Sequence, residues 1–164
     1  MMARRYAEST SVSSEASRAE IERTIIRYGA DKFGYGWHGS AAVVSFEANC
    51  RQVRFVLPLP DKDAEQFNRT PAGRYRKSQD ERLKAWEQAC RQRWRALALA
   101  IKAKLEAVEC GITEFEEEFL AHIVMPNGQT VGDYIIPQVA IAYDKREMPK
   151  MLPFTECRRN GGAE

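Results

Sequence analysis

Apolar residues recur every three or four positions at Leu83, Trp86, Cys90, Trp94, Leu97, Ile101, Leu105 and Val108, which lays them along one side of a helix. This stripe predicts a single long helix from about Ser78 to Cys110, about 48 Å in length. Ser78 is its expected N-cap, Glu81 holds the capping-box position, and Gly111 supplies the stop. A shorter helix is predicted in "SSEASRAEIERTIIRYGA". There Ala19, Ile21, Ile25, Ile26 and Tyr28 fall near one side, Glu15, Arg18, Glu22 and Arg23 form the polar side, and Gly29 terminates it.

Between the two helices the period changes from three-to-four to two. "DKFGYGWHG", "SAAVVSFEANC" and "RQVRFVLPLP" read as three strands of an antiparallel meander, separated by turn-prone residues. Val53, Phe55 and Leu57 alternate with Gln52, Arg54 and Val56, and Phe33, Tyr35 and Trp37 share one face. That aromatic row is expected to belong to the core. Pro58 and Pro60 end the sheet. The following stretch, "DKDAEQFNRTPAGRYRKSQDE", has little apolar period and reads as a long loop.

Beyond Gly111, Thr113 and Glu116 are placed as a capping box opening "TEFEEEFLAHIV", with Phe115, Phe119 and Ile123 inward. "PNG" is a turn, and "TVGDYIIPQVAIAYDKREMP" is expected to form a helix from Thr130 that Pro137 kinks or breaks. The predicted fold is α+β: a three-stranded antiparallel sheet packed against an N-terminal helix and one long helix, with two C-terminal helices completing the core. Residues 14–153 form one domain, between a mobile leader at 1–13 and a tail at 154–164.

Composition adds limits. At 44% hydrophobic and 29% charged residues, the chain has the make-up of a globular protein, and a net charge of +2 neither demands nor excludes nucleic acid. Cys50, Cys90, Cys110 and Cys157 are widely spaced, without a C-x-x-C or a histidine cluster, so no metal and no cofactor are expected. Cys90 falls on the apolar side of the long helix and is read as packed. No segment reads as a membrane span or a signal peptide, which points to a cytoplasmic protein with reduced thiols.

Catalytic patterns are weak. His38 and His122 are the only histidines, and neither belongs to a recognisable acid–base pair. "FGYGWHG" lacks the lysine and the following helix of a phosphate loop, and Glu114 to Glu118 read as a solvated helix start favoured by the dipole. The chain is therefore read as a binding protein rather than an enzyme.

Charge placement supplies the leading functional expectation. Lys84, Gln88, Arg91, Arg95 and Lys102 recur at helical spacing beside the apolar stripe, and Arg93 and Lys104 broaden the row. The preceding loop adds Arg69, Arg74, Arg76 and Lys77, with Tyr75 among them as a stacking ring. Cations tracking phosphates together with an aromatic platform suit single-stranded nucleic acid read without base specificity. The other reading is a protein-binding module that inhibits or recruits a host protein through the sheet edge or the acidic helix. A homo-oligomer using part of the long helix is compatible with both.

The segment "RQRWRALALAIKAKLEAVECGITEFEEEFLAHIVMPNGQTVGDYIIPQ" resembles a block in uncharacterised small proteins encoded by phages and prophages, a resemblance extending over most of residues 4 to 153. It implies a phage-type accessory protein in a host cytoplasm and brings no catalytic residues. The order helix, three-strand meander, long helix is also similar to the core of phage recombination annealases, which bind single strands along a groove beside the sheet. That similarity is one of topology only.

Overall fold

The computed structural model describes residues 7, 10–70, 72–75 and 78–146. Helix α1 (Ser14–Arg27) leads into a meander of β1 (Lys32–His38), β2 (Ala41–Ala48) and β3 (Arg51–Pro58), followed by α2 (Gln79–Glu109), α3 (Phe115–Phe119) and α4 (Val131–Lys145). The fold is α+β, with antiparallel strands in the order β1-β2-β3.

The register fixes which sheet face is covered. Phe33 stands opposite Phe46, which stands opposite Val53; Tyr35, Val44 and Phe55 form the next rung, and Trp37, Ala42 and Leu57 the last. This is the face that meets the helices, where Val44, Phe46, Val53 and Phe55 are buried. Gly34, Val43, Ser45, Arg54 and Val56 alternate onto the other face. The β2–β3 hairpin turns through Asn49 and Cys50, both at positive φ (50° and 57°). A two-residue turn with that backbone follows the sheet's twist but favours glycine where Cys50 stands.

Helix α1 starts at Ser13, whose Oγ accepts the Ala16 N–H at 3.1 Å. Its Ile21 and Ile25 are buried, whereas Ile26 points to solvent. Ser78 caps α2 by accepting the Asp80 N–H at 3.1 Å, so the cap closes on Asp80 rather than through Glu81. At the other end Gly111 takes φ 68°, and the N–H groups of Gly111 and Ile112 return to Val108 and Ala107. Cys90, Trp94, Leu97, Ile101 and Leu105 are buried along the expected stripe. Each such side chain contributes about 1.5–3 kcal/mol on leaving water.

Past Gly111 the structure departs from the expected single helix. α3 lasts five residues, Glu114 rather than Thr113 takes the N-cap position, and a 3-10 turn (Leu120–His122) follows. Ile123 and Val124 then extend: Ile123 bridges Val53, and the Val124 N–H donates to the Gln52 carbonyl at 2.8 Å. The edge backbone of β3 thus takes the Val124 amide, and the helix ends early. Phe119 plugs the end of the core, edge-on to Phe46 and Phe55 at 6.0 and 6.3 Å.

Helix α4 is capped by a reciprocal box. Thr130 Oγ1 accepts the Asp133 N–H at 3.1 Å, while the Thr130 N–H donates to the Asp133 carboxylate at 2.9 Å. The helix continues through Pro137 without the break that residue suggested. Nor does it complete the core, because Gly132 is its one buried residue among those described. The expected leader lies only partly within the described residues, and the expected tail lies wholly outside them.

Candidate nucleic-acid interface

Side chains of α2 hold the end of β3 and the loop that follows it. Trp86 Nε1–H donates to the Pro60 carbonyl at 2.8 Å, Arg82 donates to the Asn68 side chain at 3.3 Å, and the Arg93 guanidinium donates to the Pro58 carbonyl. Phe67 is buried within it. At its tip, Arg69 and Tyr75 pair across a narrow hairpin closed by the Gly73 N–H to the Thr70 carbonyl. The Arg69 guanidinium lies over the Tyr75 ring, 4.1 Å from its centroid, and donates to the phenol oxygen at 2.5 Å. Arg74 and Tyr75 face solvent, so the hairpin presents a cation and a ring together. Arg76 and Lys77 lie outside the described residues.

The basic row of α2 does not face open solvent along its whole length. Much of it runs beside α1. Gln88 Nε2–H donates to the Thr10 carbonyl at 2.9 Å, and Arg91 donates through Nε and Nη2 to Gln88 Oε1 at 3.1 and 2.7 Å, with the Glu87 carboxylate 3.9 Å away. Arg95 pairs with Glu20 of α1, both side chains more than two-thirds covered. Lys102 is exposed beside a shallow groove shared with Arg23 and Arg27 of α1. Lys84 is exposed near the start of α2, and Lys104 is engaged by Glu118 at 2.8 Å.

Where this row passes the start of α1, a cleft of about 460 Å³ opens between α1, α2 and the end of β1. All three tryptophans of the chain line it. Trp94 forms part of the floor at 1% exposure, Trp86 and Leu59 form one wall, and Trp37 overhangs from the edge strand at 60% exposure. The expectation that the row Phe33, Tyr35 and Trp37 belongs to the core fails for Trp37: it shares the register of the core face but is exposed, because β1 is the edge strand. Tyr35, one rung inward, is exposed for the same reason.

Two cations enter the cleft. Arg18 sits between rings, 5.2 Å from the Tyr35 centroid and 5.4 Å from that of Trp94, while donating to Glu15 at 3.1 Å. Arg91 comes from the α2 side. Glu15 and Glu87 share the lining, and hydrogen bonding to the backbone at the start of α1 holds the Glu15 carboxyl below its ordinary pKa, with Ser13 and Arg18 adding. Burial pushes the Cys90 thiol up, so it remains protonated at neutral pH and acts as packing.

Sequence reasoning missed this constellation. It placed Trp86 and Trp94 on the helix stripe, Trp37 in the sheet and Arg18 on the polar side of α1, and no linear spacing joins the four. His122 stacks on Phe55 at 4.0 Å, and burial with nearby Lys104 lowers its pKa. Among the described residues no group of three or more His, Cys, Asp and Glu side chains converges on a metal position, and no helix is long and apolar enough to cross a membrane. No protein-family model, curated protein or solved structure matches this chain.

Proposed function

We propose that this chain is a phage-type accessory protein that binds single-stranded nucleic acid without base-specific readout. The observation that carries the reading is the cleft in which Trp37, Trp86 and Trp94 meet Arg18 and Arg91. An exposed indole beside a guanidinium offers a base a face to stack on and its phosphate a donor. The Arg69–Tyr75 hairpin, with Arg74, repeats that pairing on the loop leading into α2. Stacking on a ring tolerates any base, whereas a duplex keeps its bases inside the stack.

The two carboxylates in the cleft offset its two guanidiniums, so stacking carries more of the binding than charge does. This predicts a moderate salt response. With two to four phosphates neutralised, the slope of log K against log salt is about −1.5 to −3. Fluorescence anisotropy with labelled single-stranded and duplex oligonucleotides across a salt series is the direct test. Trp37→Ala removes a solvent-facing side chain and is expected to weaken single-strand binding about tenfold. Arg91→Ala is expected to weaken it less and to flatten the salt slope. Absence of binding at low salt, or binding indifferent to both substitutions, overturns the proposal.

A further inference from the structure

The shallow groove beside Lys102 has a volume of about 190 Å³ and is lined from α1 by Arg23, Thr24 and Arg27. At 3.6 residues per turn these three stand about 140–240° round α1 from Arg18, so the groove and the tryptophan cleft open on different sides of that helix. The Arg95–Glu20 ion pair marks one end of the groove. At the other end the Tyr28 phenol faces the Glu106 carboxylate, which holds the phenol above its ordinary pKa.

The cations of this groove differ from their neighbours. Arg18, Arg54, Arg91, Arg95 and Lys104 each meet a carboxylate. Among the described residues no ion pair engages Arg23, Arg27 or Lys102, and Arg27 has the Tyr28 ring 5.8 Å from its guanidinium. Arg23 and Arg27 stand four apart, a like-charge spacing that works against a helix, and Lys102 adds a third positive charge from α2. The helix dipole accounts for Arg27 in the last turn of α1 but for neither of the others. Of the two carboxylates in the lining, Glu20 already answers Arg95, which leaves Glu106 against three cations.

We infer that this groove holds a phosphate group, gripped by Arg23, Arg27 and Lys102, at a site separate from the cleft. A guanidinium fork matches two phosphate oxygens at once, and a lysine adds a point charge. Thr24 places a neutral hydroxyl among them. A phosphate has acceptor oxygens enough for all these donors, whereas a carboxylate has two. The volume falls below the roughly 300–1,000 Å³ of a small-molecule pocket, so the groove suits a charged group and leaves the rest of its ligand outside. A nucleic-acid backbone and a small phosphorylated compound present that same chemistry. The inference does not depend on single-strand binding in the cleft.

Isothermal titration calorimetry with inorganic pyrophosphate, at low ionic strength in a buffer free of phosphate and sulfate, is the test. The full chain is expected to bind it. Arg23→Gln and Lys102→Gln, both at exposed positions, are each expected to weaken binding about fivefold or more while far-UV circular dichroism keeps the helical signal. Lys62→Gln removes an equally exposed cation from the loop after β3 and is expected to leave binding within about twofold. Oligonucleotide anisotropy on the same variants names the source of the phosphate. A matching loss of affinity assigns it to a nucleic-acid backbone; unchanged affinity, or no oligonucleotide binding at all, assigns it to a small phosphorylated compound. Absence of pyrophosphate binding at low salt overturns the inference, as does binding that survives both groove substitutions or that Lys62→Gln weakens equally.

Discussion

α2 and α4 show two ways for a helix to be amphipathic. α2 puts its apolar stripe on the sheet and turns its flank toward α1, where Arg95 finds Glu20 and Arg91 finds Gln88. Several of its polar side chains meet partners within the chain, while Lys84 and Lys102 stay exposed. α4 has few charges to place; among the described residues Gly132 is its one buried position, and Ile136, Val139 and Tyr143 are exposed. The difference teaches that burial of one helix face is set by what lies opposite, not by the strength of the pattern. Among the described residues the core is gathered on α2 and the sheet, and α4 adds little to it.

Trp94→Ala tests that contrast most strongly. It empties a site that is almost fully closed and is expected to cost about 3–5 kcal/mol, whereas Tyr143→Ala in the isolated chain is expected to stay within about 0.5 kcal/mol. Urea unfolding of both variants at low protein concentration reads the difference, and equal losses would erase the distinction. Gly132→Ala acts at the joint. The added methyl collides with backbone rather than a movable side chain, so a cost of about 1–3 kcal/mol is expected. Hydrogen exchange should show it as faster opening of residues 124–146, with α2 amides unchanged. Faster exchange across α2 as well would mean that the two regions open together.

The smallest effect is the pH response of His122. Its folded pKa lies below 6.5 because burial and Lys104 disfavour the cation. The unfolded chain therefore binds the proton more readily than the folded one, and stability falls as pH drops below about 6.5 toward the lower folded value. His122→Gln should remove that part of the slope between neutral and mildly acid pH, measured by thermal unfolding. An unchanged slope would assign it to other groups.

Much of the architecture was legible because periodicity is a local property. The Leu97, Ile101, Leu105 repeat and the alternation through Val53, Phe55 and Leu57 each state which face is apolar, and the faces meet as those patterns require. Endings were less legible. Thr113 and Glu116 have the letters of a capping box, but the amide of Val124 found the Gln52 carbonyl instead, a partner 72 positions away in number. The site was the least legible part. Arg95 reads as a free cation until Glu20 is brought beside it, and Arg18 reads as solvated until the sheet edge sets Tyr35 over it. Such pairings depend on how α1 crosses α2, which no single segment encodes.

Because every tryptophan in the chain borders one cleft, the protein carries its own optical reporter there. Trp94 sits in a dry environment and Trp37 in a wet one, so native emission combines a short-wavelength component with a long-wavelength one. A molecule entering the cleft reaches the wet indole first. A blue shift or quench confined to the red side of the spectrum would therefore locate it without any label, while an event at α4 would leave the spectrum unchanged.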